Sequence, residues 1–114
     1  MIYRGTFALP GPRANRFSES ALEAEYSDQP DLAKAEQLLT KALEISPKVY
    51  YRWIELGNIL IQRGARDEAV RAYENAAKYL PAGDDMSGAI QKQIQRVSRE
   101  NLKSVPALRN PVLE

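Results

Sequence analysis

Apolar residues return along most of this chain at intervals of three and four, the spacing that gathers them on one face of an α-helix. Leu32, Ala35, Leu38, Leu39, Ala42 and Leu43 make one such stripe and predict a helix over 31–45. Asp31, directly after Pro30, is placed to accept from the free N–H groups of its first turn. From Tyr50 to Gly83 large and small residues alternate: Trp53, Leu56, Gly57 and Leu60, then Ala69, Tyr73, Ala76 and Pro81. Such alternation predicts two antiparallel helices, 48–63 and 66–79, with small side chains where the backbones approach and large ones filling the gaps. Gly57 and Ala69 are the expected contact points within the pair, and Ala76 a third, toward the next helix. Gly64 reads as a C-cap, and Pro81 as the stop of the second helix.

The spacing Trp53-x-x-Leu56-Gly57, followed by Ala69, Tyr73, Ala76 and Pro81, resembles the tetratricopeptide repeat, a helix–turn–helix unit of about 34 residues. Leu60 stands where that family usually has tyrosine. One repeat length upstream, Ala35, Leu39, Ala42 and Pro47 take the places of Ala69, Tyr73, Ala76 and Pro81. Leu22 and Tyr26 take those of Leu56 and Leu60. The first repeat departs at Glu19, in the place of Trp53, and at Glu23, in the place of Gly57. A glutamate at the closest approach would force helix 17–27 away from its partner or turn its carboxylate outward. Glu19, Glu23 and Glu25 are all expected to project from this helix. Downstream, Ile90 and Ile94 keep the register, but no second helix follows. Met86, Ile90, Ile94 and Val97 make an inner stripe, and Gln91, Lys92, Gln95, Arg96 and Arg99 an outer one. That polar face resembles the solvating helix that closes such arrays.

The resemblance implies an all-α, right-handed α-solenoid of antiparallel helix hairpins with five helices. Two hairpins (16–49 and 50–83) precede a capping helix (84–103). Residues 1–15 and 104–114, broken by Pro10, Pro12, Pro106 and Pro111, are expected to be extended arms. Val105, Leu108, Val112 and Leu113 give the second arm apolar residues with which to fold back or meet a partner.

Composition narrows the function. The 114 residues contain no histidine, which removes the commonest general base and transition-metal ligand together, and no cysteine. No phosphate-binding glycine loop or zinc spacing is present. Asp84 and Asp85 fit the cap and dipole partners of a helix start better than a metal site. No catalytic, metal or cofactor residues are therefore expected. A net charge of +1 gives no reason to expect nucleic acid. No apolar run reaches the roughly 20 residues that span a bilayer, and the N-terminal apolar patch is too short for a secretory signal. The chain reads as cytoplasmic, unless it was cut from a larger targeted protein.

What remains is a binding surface. In the resembled family the second, fifth, ninth and twelfth positions of each repeat's first helix line a concave groove. These positions are Phe17, Ser20, Ala24 and Ser27 in the first repeat and Tyr51, Ile54, Asn58 and Ile61 in the second. Asp85, Gly88 and Lys92 would join them from the closing helix. Phe17, Tyr51, Ile54, Asn58 and Ile61 are the expected partner contacts, with Asn58 able to hold a peptide backbone by a paired hydrogen bond. Ser20, Ile54, Tyr51 and Glu55 replace the basic and amide groups with which some relatives grip the carboxylate tail of heat-shock chaperones. An acidic tail is therefore not the expected ligand. The resemblance implies a non-enzymatic protein–protein interaction module that takes an extended or helical segment of a partner. Two alternatives stay open: a self-assembly unit forming a homodimer, and an accessory region of a longer array or enzyme.

Overall fold

The structure, a computed structural model, describes residues 12–26 and 30–110. Every regular element among them is helical: α1 (Pro12–Tyr26), α2 (Leu32–Ile45), α3 (Tyr50–Gln62), α4 (Arg66–Tyr79), α5 (Met86–Arg99) and a single 3-10 turn, Leu102–Ser104. Five α-helices in this order are the fold class expected from the repeat spacing. The chain divides into two units, Met1–Val49 and Tyr50–Glu114.

In the first unit α1 packs on α2 as fully as α3 packs on α4. Helix α2 buries Ala35, Leu39, Ala42 and Leu43, and Asp31 caps it by accepting from the Lys34 N–H at 3.0 Å. Two expectations for α1 need correction. It starts at Pro12, inside the segment expected to be extended, because a proline at the first helical position gives up no hydrogen bond. Its inner face is also set differently. Its small inward residue is Ala21 and not Glu23. Ala21 is buried, and Glu23 is exposed together with Glu19. Glu25, one turn beyond Ala21 on the same face, is buried rather than outward. Residues 1–11, Ser27 and the end of the tail with Val112 and Leu113 lie outside the described residues.

In the second unit α4 lies between α3 and α5. It buries Ala69, Ala72, Tyr73 and Ala76, all at most 2% exposed. The closest approach to α3 is made by Gly57 against the flat of the Tyr73 ring. A Cβ on Gly57 would stand 2.7 Å from both Cε1 and Cζ of that ring. The hairpin turn is locked by Gly64 at φ 78°, with the Ala65 N–H bonded to Leu60 O and the Gly64 N–H to Ile61 O. That pair of bonds is the Schellman C-cap, which needs a residue at home in the left-handed region. Asp67 and Glu68 occupy the first turn of α4, where negative charge complements the helix dipole. At the start of α5 the Asp84 carboxylate accepts from the Met86 N–H at 2.8 Å, the capping role expected for this acidic pair. Helix α5 buries Ile90, Gln93 and Val97, with Met86 and Ile94 half-buried beside them.

Candidate functional site

Helix α3 is buried at every position from Ile54 to Ile61. A helix 13 residues long with its ends at the surface is covered this completely only when something lies on the face away from α4. In this unit the C-terminal segment lies against α3. After α5 the chain turns at Asn101, whose side chain accepts from the Lys103 N–H and whose carbonyl accepts from the Ser104 N–H and hydroxyl. The segment then returns across α3 without regular secondary structure.

Asn58 holds it. The Asn58 Nδ2 donates to Leu108 O at 2.9 Å, and the Leu108 N–H donates to Asn58 Oδ1 at 2.8 Å. One side-chain amide thus meets both hydrogen-bonding groups of a single backbone residue. The Tyr73 hydroxyl also donates to Asn58 Oδ1. With two donors converging on Oδ1, the orientation of the Asn58 amide follows from its partners. Gln93 completes the network from α5: its Nε2 donates to Pro106 O at 2.8 Å and to the Tyr73 hydroxyl at 3.4 Å. At the other end the Asn110 Nδ2 donates to Tyr51 O at 3.0 Å and stands 3.4 Å from Glu55 Oε1. The segment therefore lies over α3 and α5, with the Tyr73 hydroxyl reaching it from α4.

The order of contacts fixes the direction. Val105 shares a cleft with Ile61, Leu108 meets Asn58, and Asn110 meets Tyr51. The segment runs antiparallel to α3. From Ile61 to Tyr51 the helix rises about 15 Å, and five extended residues from Val105 to Asn110 span about 17 Å. The end-to-end lengths match, so an extended chain is long enough to run the length of this face. Val105 and Asn110 are buried and Leu108 half-buried, whereas Pro106, Ala107 and Arg109 face outward.

Tyr73 is the polar centre of this face and is 0% exposed. Its phenol is held well above the ordinary range, first by burial and then by the nearby Glu55 carboxylate, while the Gln93 hydrogen bond works against both. It stays a neutral donor throughout the physiological range.

Residues 26–92 match the sequence profile of the tetratricopeptide repeat. The chain belongs to the tetratricopeptide repeat family. No curated protein and no solved structure matches it. Repeats of this family are in general protein-interaction modules. No helix among the described residues is long and apolar enough to cross a membrane, and those residues hold no cluster of three or more acids suited to a metal ion.

Of the five residues expected to line the tetratricopeptide groove, four share one stripe of α3. Asn58 binds the returning segment through its side chain and Tyr51 through its carbonyl. Ile54 is fully buried, and Ile61 forms part of a cleft of about 490 Å³ with Leu102, Lys103 and Val105. Phe17 belongs to the other unit, where it is half-buried with Lys41 Nζ 5.8 Å from its ring centre. On α1, Ser20 and Ala24 are half-buried. On the closing helix, Gly88 and Lys92 are exposed, and Asp85 is exposed beside the Asp84 cap. Gln93, absent from the expected set, is the α5 residue that reaches the segment. Its position three residues after Ile90 and four before Val97 puts it on the inner face, a signal hidden by its polarity.

Proposed function

We infer that the chain is a non-enzymatic protein–protein interaction module whose α3 groove holds an extended segment of a partner by its backbone. The observation that carries this reading is the paired hydrogen bond between the Asn58 amide and the N–H and C=O of one residue, Leu108. A side-chain amide that reads both backbone groups recognises extended chain as such, and side-chain pockets on either side add selectivity. The network behind it is prebuilt. Tyr73 holds the amide from α4 and Gln93 holds the Tyr73 hydroxyl from α5, which lowers the ordering needed when a segment docks. A helical partner fits less well, because its N–H and C=O groups are already paired within the helix.

Selection from a display library of short random peptides tests this. Peptides that bind should shift the side-chain amide NMR signals of Asn58 and Gln93 and should be lost with Asn58→Leu. Peptides that bind Asn58→Leu as well as wild type would place the interaction elsewhere.

A further inference from the structure

The groove already holds a peptide, and its chemistry says what else would fit. We propose that residues 101–110 are a built-in competitor for the α3 groove, displaced by a partner segment that makes the same contacts in the same direction. This rests on the groove reading above and adds to it both a regulator and a recognition pattern.

Three features of the segment argue for competition rather than permanent cover. It docks through side-chain hydrogen bonds, a pair at Asn58 and others made by Gln93 and Asn110, with no helix or strand ladder of its own beyond one 3-10 turn. Ordering an irregular segment costs conformational entropy that these bonds must offset, so a second ligand making the same bonds can move the balance. The turn at Asn101 is closed by local bonds to Lys103 and Ser104, so it persists whether or not the segment is docked. The outward residues Pro106, Ala107 and Arg109 make the segment reachable from solvent.

The contacts give the pattern. A matching partner carries a small apolar residue at the place of Val105, which is buried. A carbonyl at the next place accepts from Gln93. At the place of Leu108 proline is forbidden, since Asn58 Oδ1 needs an N–H there. Two residues further on, an asparagine or glutamine reaches the Tyr51 carbonyl. The place of Ala107 is exposed and selects no particular side chain. The intramolecular segment acts at an effective concentration on the order of millimolar, so it holds weak partners off and yields to strong or multivalent ones.

The test uses the full chain and a fluorescent peptide with the sequence of residues 101–110 as probe. Leu108→Pro removes the N–H that Asn58 accepts while leaving the groove intact. The probe should bind Leu108→Pro at least tenfold more tightly than wild type. Binding should vanish in Leu108→Pro/Asn58→Leu, and a probe with proline at the Leu108 place should not bind at all. Asn110→Ala serves as a second way of loosening the segment and should also strengthen probe binding. Equal binding to wild type and both loosened variants overturns the competition and leaves the groove reading standing. No binding to a folded Leu108→Pro sinks the groove reading with it. Loss of the helical circular dichroism in both loosened variants would show the segment to be part of the fold and end the proposal. A wild-type dimer that grows with concentration and is lost in Leu108→Pro would replace it with segment exchange between copies.

Discussion

Replacing Gly57 by alanine adds one methyl group at the tightest point of the second unit. The new Cβ would lie 2.7 Å from Tyr73 Cε1 and Cζ and 3.0 Å from Cδ1. Carbon atoms sit comfortably at about 3.5–4.0 Å, so the ring or the helix must give by nearly 1 Å. The ring has little freedom to do so. Tyr73 is fully buried, and its hydroxyl donates to Asn58 while accepting from Gln93. Overpacking costs about 1–3 kcal/mol, and three ring atoms in conflict put this site near the top of that range. A strained Tyr73–Asn58 bond adds about 1 kcal/mol. Against this, alanine gains about 1 kcal/mol over glycine in a helix. The net loss is about 3 kcal/mol, which for a domain of this size lowers Tm by more than about 10 °C. Urea denaturation followed by far-UV circular dichroism reads the change directly. Gly88→Ala is the matched control: nothing lies within 4 Å of a Cβ there, so it should stabilise by about 0.5–1 kcal/mol. Shortening the opposing side chain should relieve the clash, making Gly57→Ala/Tyr73→Leu more stable than the two single effects added. If Gly57→Ala behaves like Gly88→Ala, the close approach of α3 to the Tyr73 ring is not what packs this hairpin.

Other expectations concern single groups. Tyr73→Phe should lose about 1 kcal/mol by urea denaturation, because Asn58 keeps Leu108 and Gln93 keeps Pro106 as partners. The same variant tests the buried phenol. Its folded pKa lies above the unfolded value, so the stability it supplies is fully present below about pH 10 and lost as pH rises toward the folded value. An alkaline stability profile should therefore fall less steeply for Tyr73→Phe than for wild type; parallel profiles would contradict the assignment. Gly64→Ala should cost about 1–2 kcal/mol in spite of open space around it, since φ of 78° strains any residue with a Cβ. An unchanged urea midpoint would refute this. Arg66 donates to both Val97 O and Glu100 O, tying the start of α4 to the end of α5. Arg66→Ala should lower stability by about 1–2 kcal/mol and speed amide exchange near Arg99 and Glu100; unchanged exchange there would speak against the tie.

The helices of the second unit could be read from spacing because their small and large residues, stripes and caps all point the same way. That the Asn58 amide can pair with backbone was also legible, from its groove position in the resembled repeat. What it pairs with was not. Residues 105–110 have no period, and an irregular segment's destination depends on contacts distant in sequence. Tyr73 could be read as a filler but not as a hydrogen-bonding hub, since its partners come from α3 and α5. Gln93 sat among polar residues, and an apolar stripe could not mark it as inward. In α1 the repeat length misled: the small buried residue is Ala21, two positions before Glu23, and a fixed offset cannot register such a shift.

The Tyr73 hydroxyl also sets which way round a guest can lie. An asparagine amide rotated by half a turn could pair just as well with a strand of reversed polarity, its carbonyl and amino ends exchanged. Gln93 already donates to the phenol oxygen, so the phenol proton is left for Asn58 Oδ1, and that rotation would waste it. One buried proton thereby makes a chemically symmetric clamp directional. A retro-sequence peptide should be refused by this groove even though it offers every side chain of the forward one.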